Sequence, residues 1–205
     1  MYLREELGGS DYVKCLLLFY GWYGLKDSAS QRLLGGPWDG LTEAEWQWYK
    51  ELYAEDTAEL ETSPYANLFL NDLTRDMPSC YIAAAEYDPL KDDSTALATI
   101  LEEYGIPHRF EMFEGVIHAF LHYTKMLDEA NLALEHGAEY FRQQMGAAGA
   151  HSLPIWTNLL QESALLSSQI SKRASFGAIS VLQMRNQGAI TVDFFSQSGY
   201  NKCSV

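Results

Sequence analysis

The sequence predicts an α/β fold in which parallel strands alternate with crossover helices. Short, almost continuous apolar runs at Val13 to Tyr20 and Cys80 to Ala85 have the composition of strands covered on both faces. Between and after them lie segments of helical period, such as Leu97, Leu101 and Tyr104. The order strand, insertion, strand, helix, strand, helix implies a parallel sheet with right-handed crossovers.

The first strand ends at Gly21. From Gly24 to Ser63 the chain is rich in Trp, Tyr, Glu and Gly, with Gly35-Gly36-Pro37 and Asp39-Gly40 as turn signals. This stretch reads as an insertion over the sheet. Within it Thr42-Glu43-Ala44-Glu45 opens a helix, Thr42 capping and Glu45 completing a capping box, and the helix continues through Trp46, Tyr49 and Tyr53. The second strand is introduced by Met77-Pro78 and ended by Asp88-Pro89. Asp92 or Asp93 is the expected cap of the next helix, which Gly105 and Pro107 terminate, and Lys91-Asp92-Asp93 reads as a solvated helix start. Arg109 to Phe113 is the third strand, followed by a Glu114-Gly115 turn. Asp128 starts a helix with Ala130, Ala133, Leu134, Gly137 and Phe141 on one stripe.

After Met145 the composition changes. Residues 1–145 read as one α/β unit and 146–205 as a charge-poor tail of unassigned fold, in which Ile155 to Ile170 could be a helix and Ala189 to Phe195 a strand. The net charge of −14 is uneven: beyond Gly146 the acidic residues are Glu162 and Asp193, against Lys172, Arg173, Arg185 and Lys202. An acidic body without a basic, aromatic-interleaved stripe argues against nucleic acid and anionic membranes as partners. Cys15, Cys80 and Cys203 are unclustered, so neither a disulfide framework nor a zinc site is indicated, and a reducing compartment fits. No secretory signal or membrane span is read in the chain, and a cytoplasmic location is expected.

The chemistry centres on Glu86-Tyr87-Asp88-Pro89-Leu90 and Gly115-Val116-Ile117-His118-Ala119-Phe120. Both segments follow strands of the expected parallel sheet, and loops at the carboxyl ends of such strands converge on one crevice. Asp88 could therefore orient His118, fixing its tautomer and stabilising the imidazolium formed when the ring takes a proton. Taken alone, Asp88 is a common turn opener and His118 a core histidine bonded to a carbonyl; at this interval on consecutive strands, the catalytic reading is the better one. His122 is a neighbour for which a structural role is favoured, and His108, His136 and His151 look incidental. Trp22, Tyr23, Trp46, Trp48, Tyr49 and Tyr65 could line a pocket, although packing of the insertion accounts for most of them. No nucleophile is assigned: Gly-x-Ser-x-Gly is absent, and Gly8-Gly9-Ser10-Asp11-Tyr12 lacks its closing Gly. No metal site is read, since Lys91-Asp92-Asp93 has no third oxygen ligand near in sequence.

Four stretches carry a resemblance: Leu34-Gly35-Gly36-Pro37-Trp38-Asp39-Gly40-Leu41-Thr42, Asn71-Asp72-Leu73-Thr74-Arg75-Asp76, Glu86 to Leu90, and His118-Ala119-Phe120-Leu121-His122-Tyr123. On these, Met1 to Met145 resembles the C-terminal half of the bacterial acetyl esterases, in the hormone-sensitive-lipase branch of the α/β-hydrolases. The resemblance implies a partial α/β-hydrolase fold whose N-terminal half is absent, with 24–63 contributing to a cap. It implies Asp88 as triad acid and His118 as triad base, hydrolysis of short-chain acyl esters through an acyl-enzyme, and no metal or organic cofactor. The family's Gly-Asp-Ser-Ala-Gly nucleophile and His-Gly-Gly-Gly oxyanion loop are expected upstream of Met1.

The chain alone is therefore expected to have negligible activity, and its first strand to carry an unpaired edge that invites oligomers or a complementing N-terminal half. A non-catalytic pseudo-hydrolase or protein-interaction module is the alternative. A peptidase or thioesterase is a third reading, because an Asp/His pair does not choose the acyl substrate.

Overall fold

A computed structural model of the chain describes residues 2–6 and 13–146, with short strands at 181–184, 190–193 and 202–204. The segment around Ser10, His151 and the helix expected over Ile155 to Ile170 lie outside the described residues. The main elements run α1 (Tyr2–Glu5), β1 (Cys15–Phe19), α2 (Ala29–Leu33), α3 (Glu43–Tyr53), α4 (Glu59–Thr62), β2 (Ser79–Tyr87), α5 (Lys91–Glu103), β3 (His108–Ile117) and α6 (Asp128–Met145). A 3-10 turn at Phe120–Tyr123 precedes α6. In the tail, β4 (Val181–Met184), β5 (Ile190–Asp193) and β6 (Lys202–Ser204) form a separate antiparallel sheet, and β5 falls within the strand expected over Ala189 to Phe195.

β1, β2 and β3 form a parallel sheet in that order, with Leu17 opposite Tyr81 and Ile82 opposite Phe110. Cys80 to Ala85 of β2 are wholly buried, as a strand covered on both faces requires. Alternate residues point to opposite sides. Tyr81, Ala83 and Ala85 meet Ala130, Ala133, Tyr140 and Phe141 of α6, while Cys80 and Ile82 meet Leu97, Ala98 and Leu101 of α5. The result is a three-layer core with α5 and α6 on opposite faces. Gly137 lets α6 sit close to the sheet: a Cβ there would lie 3.2 Å from the Phe19 ring and 3.3 Å from that of Tyr81.

Local signals account for most of the boundaries. Thr42 and Glu45 form the expected reciprocal capping box at the start of α3, and Gly105 turns the chain at the end of α5 with φ +65°. Three details differ from expectation. The cap of α5 is Leu90, without a side-chain hydrogen bond; Asp92 and Asp93 lie in the first turn and turn their carboxylates to other partners. Asp93 is fully buried, so the helix start is not solvated. Tyr104 is 60% exposed and leaves the apolar stripe, because the helix ends before it.

A further difference concerns β3, which runs on to Ile117 instead of turning at Gly115. Its register against β2 shifts between the pairs Ala85–Phe113 and Tyr87–Ile117, so β3 carries a bulge there. Gly115 supplies the positive φ of +74° that the bulge requires, and its N–H donates to Glu86 Oε2 at 2.8 Å. Bulges bend a strand and re-aim the side chains after it, and the residue that follows this strand is His118.

Candidate active site

Asp88 and His118 leave the carboxyl ends of neighbouring parallel strands, and the structure brings them together. His118 Nδ1 lies 2.9 Å from Asp88 Oδ2. Both residues are buried, Asp88 completely. The other Asp88 oxygen, Oδ1, accepts the N–H of Leu90 at 2.7 Å. A carboxylate in its ionised form can only accept, so against it Nδ1 carries a proton, and in the neutral imidazole of that tautomer Nε2 holds the lone pair. This is the arrangement by which a carboxylate holds an imidazole as a base toward a group approaching Nε2.

The imidazole is fixed on its other sides by packing and backbone. Tyr20, at the end of β1, meets the His118 ring edge to face at 5.1 Å, and Phe120 packs on Tyr20 and Phe113 with centroids 5.7 and 5.4 Å apart. Burial and the nearby Asp88 charge push the Tyr20 hydroxyl far above its ordinary pKa, so it stays neutral. Ala119 adopts a left-handed conformation with φ +60°, which turns the chain from β3 into the 3-10 turn and carries Phe120 into the core.

A second buried carboxylate flanks the first. Asp93 Oδ1 accepts the N–H groups of Tyr23 at 2.8 Å and Leu25 at 3.0 Å, tying the chain after β1 to the head of α5. Desolvation pushes its carboxyl up to about 6, the backbone bonds acting against it and the Asp88 charge adding to it. Asp92 Oδ2 accepts from the Ser30 N–H at 2.8 Å, and the Ser30 hydroxyl donates to the Pro89 carbonyl at 2.7 Å. The segment that bears Asp88 is thus stitched to the insertion on both sides.

Of the other sequence-level candidates, His122 stays on the surface of the 3-10 turn. His136 bonds Glu111 and His108 bonds the Ile106 carbonyl, both away from the Asp88 pair. Tyr23 is core under α5, and Trp22 packs edge to face on Trp46 at 5.0 Å. Trp48 and Tyr65 are exposed. Among the described residues no group of three or more His, Cys, Asp or Glu is placed to hold a metal ion, and no helix is long and apolar enough to cross a membrane. Sequence reasoning missed Asp93, Tyr20 and the contact of the Gly35–Gly40 loop with His118; the Asp39-Gly40 turn signal was the only pointer to the last.

Comparisons with known proteins support the fold. A family model described as the α/β-hydrolase fold matches residues 1–122. An esterase from Pyrobaculum calidifontis is 29% identical, with a TM-score of 0.59 over 67% of this chain and 45% of that one. LAE6, an α/β-hydrolase enzyme from the metagenome of Lake Arreo, is 27% identical, with a TM-score of 0.53 over 63% and 42%. EstE1, a thermostable carboxylesterase from a metagenomic library, supports the fold at 24% identity, with a TM-score of 0.64 over 70% and 49%. The chain spans less than half the length of each of these solved structures. With parallel β1 to β3, α5 and α6 on opposite faces and the family match over its first 122 residues, the chain belongs to the α/β-hydrolase fold family.

Proposed function

We propose that this chain supplies the acid–base half of a carboxylic-ester hydrolase of the acetyl-esterase type, acting on short-chain acyl esters in the cytoplasm. The observation that carries the reading is the buried 2.9 Å contact of Asp88 with His118 at the carboxyl edge of the sheet. His118 Nε2 takes the proton of a serine hydroxyl as it attacks the ester carbonyl and returns it to the leaving alcohol; Asp88 stabilises the imidazolium between those steps.

The serine does not come from a nucleophile elbow of this chain, whose sequence has no Gly-x-Ser-x-Gly. We assign it, with the oxyanion hole, to a complementing N-terminal half or to sequence preceding these residues. Esterase names among the similar structures support the ester as substrate class. In the hydrogen-bonded order β1-β2-β3, β1 is an edge strand, and its free ladder is the surface where added strands, from a complementing half or a second copy, would join.

The test is labelling by a fluorophosphonate probe, with hydrolysis of p-nitrophenyl acetate, for the chain alone and mixed with the N-terminal half of a related esterase. We expect no labelling alone and a labelled serine on the added half in the mixture. Full activity of the chain alone, or a stable assembled mixture that stays silent, would sink the proposal. A silent assembly would favour the second reading, a non-catalytic interaction module, for which the 85% exposure of Trp38 beside the site is the supporting observation.

A further inference from the structure

The Gly35–Gly40 loop touches the backbone of His118 at two consecutive points. The His118 N–H donates to the Asp39 carbonyl at 3.2 Å. Gly40, at φ +77°, faces the His118 carbonyl so closely that a Cβ would lie 2.6 Å from its oxygen and 3.2 Å from Ile117 Cδ1. The loop holds this shape through its own carboxylate: Asp39 Oδ2 accepts the N–H groups of Gly35 at 3.0 Å and Gly36 at 2.8 Å, and the Asp39 N–H closes a turn onto the Gly36 carbonyl. Gly35 also approaches Pro89, the residue after Asp88. Downstream the loop runs into the capped start of α3, and the Glu43 N–H bonds the Gly35 carbonyl.

We propose that Asp39 and Gly40 are positioning residues for His118, clamping its backbone so that the imidazole meets Asp88. The inference rests on the reading of His118 as the base. The chain leaving β3 needs such a clamp. It emerges from a bulge at Gly115 and enters a left-handed Ala119, a conformation that costs a non-glycine residue free energy. Without a partner for its N–H and a surface against its carbonyl, the His118 peptide could relax from that geometry. The Asp39 carboxylate acts two steps away: it folds the loop, the loop carbonyl binds the His118 N–H, and glycine at 40 permits the approach.

The experiment uses the full chain and needs no serine. Asp39→Ala, Asp39→Asn and Gly40→Ala are compared by amide hydrogen exchange at His118 and by the low-field NMR signal of the Asp88-bound Nδ1 proton, with Ile82 and Ala83 amides of β2 as the fold reference. Asp39→Ala is expected to speed exchange at His118 by roughly tenfold, the scale of one lost hydrogen bond, and to weaken the Nδ1 signal while β2 is unchanged. Asp39→Asn keeps a side-chain oxygen acceptor and is expected to restore both.

Wild-type exchange and an intact Nδ1 signal in Asp39→Ala would overturn the proposal, as would Asp39→Asn behaving like Asp39→Ala. Should Asp39→Ala fail to fold, Gly40→Ala decides: a changed His118 above an unchanged β2 supports the clamp, and an unchanged His118 overturns it. A mixture silent in the esterase assay tests only the catalytic reading, because these readouts report where the imidazole sits.

Discussion

The carboxylate of Asp93 lies 2.8 Å from the backbone nitrogen of Tyr23, joining the first turn of α5 to the chain just after β1 across seventy positions of sequence. Among the described residues it has no ion-pair partner: backbone N–H groups of Tyr23 and Leu25 bond Oδ1, and the Gln31 side-chain amide reaches Oδ2 at 3.5 Å. Burial therefore raises its pKa to about 6.

That shift fixes the sign of a pH effect. The folded pKa is above the unfolded one, so the folded state binds the proton first as pH falls. Ionised Asp93 costs stability above pH 6, and the cost is relieved between about pH 6 and 4. Asp93→Asn keeps an oxygen for Tyr23 and Leu25 and removes the charge. It is expected to raise stability at pH 8 by up to roughly 2–3 kcal/mol and to flatten the pH dependence between 4 and 6. Urea denaturation of both proteins at pH 4.5 and 8 is the check, and an equal gain at both would remove Asp93 as the cause.

Arg4 offers a second test. It is 8% exposed, and its guanidinium donates to the carbonyls of Asp72 and Arg75 while Nε pairs with Glu5, which in turn binds Arg75. Lysine cannot reproduce that fork. Arg4→Lys is expected to cost about 1–2 kcal/mol and Arg4→Ala about 2–3 kcal/mol, read as a graded fall of a few degrees in thermal midpoint. Identical midpoints for the three proteins would mean that α1 is not held by this contact.

The main strands were legible because a strand buried on both faces has nowhere to put polar groups, so β1 and β2 stand out as apolar runs. Thr42–Glu45 was legible because a capping box is local. Asp88 and His118 were legible as a pair because parallel topology sends both to one edge of the sheet. Asp93 was not. Lys91-Asp92-Asp93 looks like any exposed helix start, and its burial depends on N–H groups that only the tertiary fold brings to it. The bulge at Gly115 was hidden for a similar reason: a glycine with positive φ serves a loop or a bulge equally, and pairing with Tyr87 decides between them. Gly40 announced a turn; that the turn sits on the His118 carbonyl follows from packing alone.

On the α6 side of the sheet, Glu111 collects the Tyr81 hydroxyl at 2.6 Å, Arg109 at 2.6 Å and His136 at 2.9 Å. Burial pushes its pKa up, but the hydrogen bonds outweigh that and hold it below the ordinary glutamate value. A depressed carboxylate stabilises the fold above its unfolded pKa and loses that contribution as pH falls through the folded one. Glu111→Gln is therefore expected to cost about 1–2 kcal/mol at pH 7 and less near pH 3. Denaturation at the two pH values tests this, and a cost independent of pH would point to packing instead.

The sharpest test of the proposed chemistry is Asp88→Asn. Asparagine is nearly isosteric, so the buried site and the bond from Leu90 can persist, but its amide can donate to Nδ1 and leave Nε2 carrying the proton. A histidine in that tautomer cannot take a proton from a serine at Nε2, and the same loss in a complete triad lowers turnover by about 10⁴. In an assembled mixture with an N-terminal half, Asp88→Asn is expected to slow fluorophosphonate labelling by roughly three to four orders of magnitude with unchanged circular dichroism and assembly. His118→Ala should fall at least as far. Labelling at the wild-type rate in Asp88→Asn would mean that the 2.9 Å contact holds the two loops together without governing the proton, and Asp88 would then be structural.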